Sequence, residues 1–65
     1  MTPQQKSLLL NRAVECLEQA NALQQQAIGA DTDVSYEYHT RIEELIEDLI
    51  GDIVEFDNLA ADTPA

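Results

Sequence analysis

The chain has no tryptophan, one cysteine, two glycines, two prolines and only three basic side chains. The single thiol, Cys16, excludes a disulfide framework within the chain. Three bases against thirteen acids leave a formal net charge of −10, which disfavours nucleic acid as a partner because phosphates are repelled. No apolar run approaches the ~18 residues that read as a membrane span; the longest are Leu8 to Leu10 and Leu59 to Ala61. The opening Met1-Thr2-Pro3-Gln4-Gln5-Lys6 lacks the basic-then-apolar pattern of a secretory leader. A cytoplasmic protein with a reduced thiol is therefore expected. At 65 residues there is no room for a second domain or for the walls of a deep enzyme pocket. Chains below ~70–80 residues rarely draw more than ~3–5 kcal/mol from one core without staples. With no disulfide and no evident metal site, oligomerisation remains, and a homodimer is expected.

Helix formers fill the rest. Thr2 can cap, Pro3 suits the first helical position, and Gln5 stands where a capping box needs Glu or Gln. No glycine or proline then intervenes before Gly29, a natural stop because it takes positive φ without a Cβ penalty. Thr32, Asp33 or Ser35 can cap a second helix. The reading is a single hairpin over 1–58, with helix 1 at about 3–28, a turn at 29–33, helix 2 at about 34–58, and a flexible tail at 59–65. Gly51 falls inside helix 2 and costs roughly 1 kcal/mol relative to Ala, too little to break it.

Apolar spacing carries the architecture. Leu9, Ala13, Cys16, Ala20, Leu23 and Ala27 recur at steps of four and three, as do Ile42, Ile46, Leu49, Ile53 and Phe56, with His39 one step earlier. Each set is a heptad seam. Helix 1 alternates small and large along its seam; helix 2 is large nearly throughout, and small against large lets helices interdigitate. Two helices joined by a short turn make an antiparallel αα-hairpin. One hairpin leaves half of each seam wet, so an all-α fold in which two hairpins pair into a four-helix bundle is expected, with these eleven residues as the dimer core.

The opening Met1-Thr2-x-Gln4-x-Lys6, the seam positions of both helices and their spacing across the turn resemble the Rop-like plasmid copy-number regulators, once the register is offset by one residue. The resemblance covers most of the chain and lies in pattern more than identity. It implies a homodimer of two-helix hairpins that binds RNA through helix 1. The corresponding positions here are Gln4, Asn11, Glu15, Gln19 and Gln26. Asn11 and Gln19 keep the family's residue type, whereas Gln4 and Gln26 replace lysines and Glu15 replaces an aromatic.

The chemistry-bearing residues are mostly carboxylates. Glu43, Glu44, Glu47, Asp48, Asp52, Glu55 and Asp57 crowd helix 2, with like-charge pairs at i,i+4 that each cost ~0.2–0.5 kcal/mol. Three readings stand: a solvated face, a surface for a basic protein, or a loose divalent-metal site. Glu43-Glu44-x-x-Glu47 also resembles part of the motif of all-α nucleotide pyrophosphohydrolases, but the later helical carboxylates of that family are not present in these residues. His39 stands alone near the turn, one turn from Glu43, and reads as a satisfied boundary histidine rather than a base or ligand. Cys16 reads as a small buried apolar group, and Tyr36 and Tyr38 as packing over the turn. A second apolar set, Leu10, Val14, Leu17, Ile50 and Val54, lies off the seams and either widens the core or forms an interface patch.

The function expected from all this is non-enzymatic. It is a small acidic homodimeric regulator that binds another, basic protein, with Glu43, Glu44, Glu47, Asp48, Asp52 and Glu55 steering it and Leu10, Val14, Leu17, Ile50 and Val54 anchoring it. No catalytic residue, metal or cofactor is assigned. The alternatives are a Rop-like RNA modulator acting through helix 1 and a fragment of a divalent-metal-dependent hydrolase.

Overall fold

The computed structural model describes residues 1–62 and consists of two antiparallel helices packed against each other, α1 (Pro3–Ile28) and α2 (Asp33–Asp62). The rod measures 50 × 15 × 12 Å. No helix among the described residues is long and apolar enough to cross a membrane.

The ends form as their residues dictate. The Thr2 hydroxyl accepts from the Gln5 backbone N–H at 3.1 Å, and the Gln5 side chain accepts from the Thr2 N–H at 2.9 Å, completing the capping box with Pro3 at the first position. Gly29 ends α1 at φ +100, where its N–H donates to the Gln25 carbonyl. Of the three candidate caps for α2, Thr32 takes the role: its hydroxyl accepts from Ser35 N–H at 3.2 Å and donates to the Gly29 carbonyl at 2.8 Å, tying the turn to the next helix. α2 starts one residue before the expected position and continues past Asn58 to Asp62, because Leu59, Ala60 and Ala61 are good helix formers and Ala60 is half-buried. The expected tail at 59–65 is thus helical as far as Asp62, and its remainder lies outside the described residues.

The α2 seam packs inward as its spacing predicts. Ile46 and Ile53 are buried, and His39, Ile42, Leu49 and Phe56 are half-buried. α1 differs. The side chains that lose exposure there are Ser7, Leu10, Val14, Leu17, Asn21 and Gln24, one residue on from the expected seam. At ~100° per residue this turns α1 by about a quarter of a circle. The expected seam accordingly stands open: Leu9 is 51% and Leu23 61% exposed, Cys16, Ala20 and Ala27 are exposed, and Ala13 is half-buried. In the single hairpin Cys16 is exposed, where its spacing suggested a buried apolar group. The physical cause lies in Leu8-Leu9-Leu10: three adjacent leucines offer two apolar stripes, and α2 covers only one.

Polar pairs close both ends of the contact. Near the termini the Ser7 hydroxyl donates to Asp57 at 2.5 Å, and Lys6 Nζ lies 5.3 Å from the centre of the Phe56 ring. Near the turn Asn21 Nδ2 stands 2.7 Å from His39 Nδ1, and Gln24 Nε2 donates to Asn21 Oδ1 at 3.0 Å and to the Ser35 carbonyl at 3.2 Å. His39 is satisfied by α1, not by Glu43 as expected, because its ring points across the hairpin. The tyrosines do not pack over the turn: Tyr36 is 70% and Tyr38 45% exposed.

Candidate functional site

The carboxylates separate sharply by helix. α1 carries Lys6 and Arg12 against Glu15 and Glu18 and is neutral; α2 carries ten carboxylates against the single Arg41. Arg41 forms an exposed i,i+4 pair with Glu37 at 3.5 Å, which leaves most of the acidic charge of α2 without a cation beside it. Exposed pairs of this kind contribute ~0–1 kcal/mol. Glu43, Glu44, Glu47, Asp48, Asp52 and Glu55 are all exposed. Their helical phases differ, so they do not form one cluster. Among the described residues no three His, Cys, Asp or Glu side chains stand close enough together to hold a metal ion.

Two of the acids share a strip with apolar neighbours. Glu43, Glu47, Ile50 and Val54 follow one another at steps of four, three and four, which aligns them along one flank of α2. Ile50 is 47% and Val54 53% exposed, so this strip offers methyl groups and carboxylates side by side. The other three members of the expected anchoring set are placed elsewhere. Leu10, Val14 and Leu17 are half-buried on the α1 face that meets α2, and they serve the hairpin contact. This corrects their reading as partner anchors and leaves Ile50 and Val54.

A second open surface runs along α1. Leu9, Ala13, Cys16, Ala20, Leu23 and Ala27 follow its length; beside Leu9, on the adjoining flank, lies a shallow depression lined by Gln5, Leu8, Asn11, Arg12 and Glu15 as well as Met1. Helix handedness sets Tyr38, Ile42, Leu45 and Leu49 of α2 on the same side of the hairpin. Tyr38 and Leu45 were not among the expected core residues, although their four-three spacing with Ile42 and Leu49 is visible in the sequence. Leu45 is 52% exposed.

The positions that the Rop-like resemblance brings forward, Gln4, Asn11, Glu15, Gln19 and Gln26, are exposed along one flank of α1. Asn11 donates its side-chain amide to the Ser7 carbonyl at 2.9 Å. Glu15, at the middle of that flank, places a negative charge where a phosphate would approach. No protein-family model, curated protein or solved structure matches the chain.

Proposed function

We propose that the chain is a non-enzymatic acidic interaction module that works as a homodimer, two hairpins forming a four-helix bundle, and binds a basic segment of another protein in the cytoplasm. The observation that carries this reading is the strip Glu43, Glu47, Ile50 and Val54, where two carboxylates lead into two half-exposed branched side chains on a helix of ten acids and one base. Charge of this density raises the local concentration of a cationic partner and speeds encounter. Apolar contact at Ile50 and Val54 then holds it, since rim charges alone add little lasting affinity. Such a module regulates by occupation: a basic surface covered by these carboxylates is closed to phosphates.

The reading is tested by titrating the protein, labelled with nitrogen-15, with a short lysine-rich helical peptide carrying leucine at every seventh residue. Backbone shifts centred on Glu43, Glu47, Ile50 and Val54 are expected at low salt. The double variant Glu43→Gln/Glu47→Gln should weaken binding several-fold, and Ile50→Ser should weaken it at all salt concentrations. Shifts spread evenly over every acidic residue would mean a solvated face with no site, and shifts confined to Gln4, Asn11 and Gln19 would move the site to α1.

A further inference from the structure

The acidic strip of α2 has a counterpart on α1. Glu43 stands three residues before the buried Ile46, and Glu47 one residue after it. Glu18 stands three residues before the buried Asn21, and Glu15 one residue after the half-buried Val14. At ~100° per residue, all four are turned roughly 60–100° from the line of contact in the same rotational sense. In two antiparallel helices that sense leads to the same side of the hairpin. The contacts at either end set the levels. Counting inward from Asn21–His39 and from Ser7–Asp57 brings Glu18 between Ile42 and Ile46, beside Glu43. The same count brings Glu15 between Leu45 and Leu49, beside Glu47.

We propose that the strip is one wall of a groove, that α1 supplies the other wall, and that the occupant is a single basic amphipathic helix lying along the hairpin axis. This rests on the site assigned above, adds Glu15 and Glu18 to it, and gives the partner a form.

Charge complementarity selects the partner. All four carboxylates are exposed, and among the described residues none is paired with a cation. The three bases of the chain point elsewhere. Lys6, one residue before the buried Ser7, turns the opposite way and lies over Phe56. Arg41, five residues before Ile46, faces away from the groove and pairs with Glu37. Arg12, two residues before Val14, stands on the outer face of α1. A macromolecular cation for this side therefore comes from another molecule, and the field between two acidic walls concentrates it there.

Spacing selects its form. Among the described residues no three acidic or histidine ligands converge, so a single metal ion does not answer these carboxylates. Along each wall the acids are one helical turn apart, ~6 Å from Glu43 to Glu47 and ~4.5 Å from Glu15 to Glu18. Ile50 and Val54 continue the α2 wall at the same step. A helix laid alongside repeats this rise and matches every step, with lysine or arginine over the acids and apolar side chains over Ile50 and Val54. An extended chain, at ~3.3 Å per residue, falls out of step before Val54. Long basic stems on one partner helix reach either wall. At the other end Tyr36, one residue after the buried Ser35, stands on the same side and is 70% exposed, offering a ring face to a further base. The apolar residues Tyr38, Ile42, Leu45 and Leu49 lie on the opposite side, so the groove stays open when that side is covered.

The test is a titration of the full chain, labelled with nitrogen-15, with an alanine-based helical peptide of about eighteen residues, ~27 Å, the span from Tyr36 to Val54. The peptide carries lysines at successive turns of one face and leucines at one end of that face. Backbone shifts are expected on both walls, at Glu15 and Glu18 as well as at Glu43 and Glu47. Glu15→Gln/Glu18→Gln should weaken binding several-fold, to the same degree as Glu43→Gln/Glu47→Gln. Glu44 and Glu55, each two residues from an inward isoleucine, face outward, so Glu44→Gln/Glu55→Gln removes the same charge and should weaken binding far less. A peptide of the same composition with a central proline should bind several-fold more weakly. If the α1 pair matters no more than the outward pair while the Glu43 and Glu47 pair still acts, the strip stands and the second wall is overturned. Equal binding of the proline peptide overturns the helical occupant. No binding by the wild-type chain at low salt overturns the groove together with the site on which it rests.

Discussion

Two glycines show how differently one residue type acts in a chain this short. Gly29 stands at φ +100, a backbone conformation that L side chains rarely adopt, and its carbonyl accepts from both the backbone and the hydroxyl of Thr32. A side chain there strains the turn that aligns the two helices. Gly51 lies within α2, and a Cβ built on it meets nothing within 4 Å. Only its backbone entropy matters. Gly51→Ala should therefore raise stability by roughly 0.5–1 kcal/mol, whereas Gly29→Ala should lower it by ~1–3 kcal/mol. Urea denaturation of the two variants at one protein concentration checks both signs, and equal effects would mean that the turn does not depend on Gly29.

At the scale of the helices, α2 was legible and α1 was only half so. Ile42, Ile46, Leu49, Ile53 and Phe56 form one apolar stripe bordered by carboxylates, so only one face of α2 can turn inward. In α1 the sequence offers two stripes a residue apart, Leu9-Ala13-Cys16 and Leu10-Val14-Leu17, and spacing alone does not say which meets α2. The structure puts the bulkier one inside, together with Ser7, Asn21 and Gln24. These polar residues break the apolar pattern and so escaped a search for it; Asp57, His39 and the Ser35 carbonyl partner them, with only Gln24 Oε1 among their buried side-chain atoms left unbonded. The strip of Glu43 and Glu47 with Ile50 and Val54 was legible residue by residue, but its separation from Leu10, Val14 and Leu17 needed the phase between helices. The Asn21–His39 contact has a measurable consequence. Asn21→Leu leaves the half-buried ring of His39 with only the longer contact from Gln25 at 3.4 Å and should cost ~1–3 kcal/mol, whereas Asn21→Leu/His39→Leu removes both members of the pair and should recover part of the loss, Gln24 keeping its bond to the Ser35 carbonyl. A double-mutant cycle by thermal unfolding reads this coupling; additive losses would mean that the contact does not form in solution.

For the molecule as a whole, the same carboxylates should produce salt responses of opposite sign. Pairing two chains doubles a formal charge of −10, and at 0.01 M ionic strength, where the screening length is ~30 Å, repulsion reaches across most of the bundle. Salt relieves that repulsion. With ten net negative charges on each copy, the proposed dimerisation should strengthen as salt rises. Binding of a basic partner depends on the unscreened field of α2 and should weaken over the same range. Dimer affinity by sedimentation and peptide affinity by calorimetry, each measured from 0.01 to 0.5 M sodium chloride, should thus slope in opposite directions. A hairpin stabilised by a mate, as proposed, should also show an unfolding midpoint that rises with protein concentration, and more steeply in high salt. If both affinities fell together with added salt, the proposed dimer would be held by ion pairs, and net repulsion would not govern its assembly.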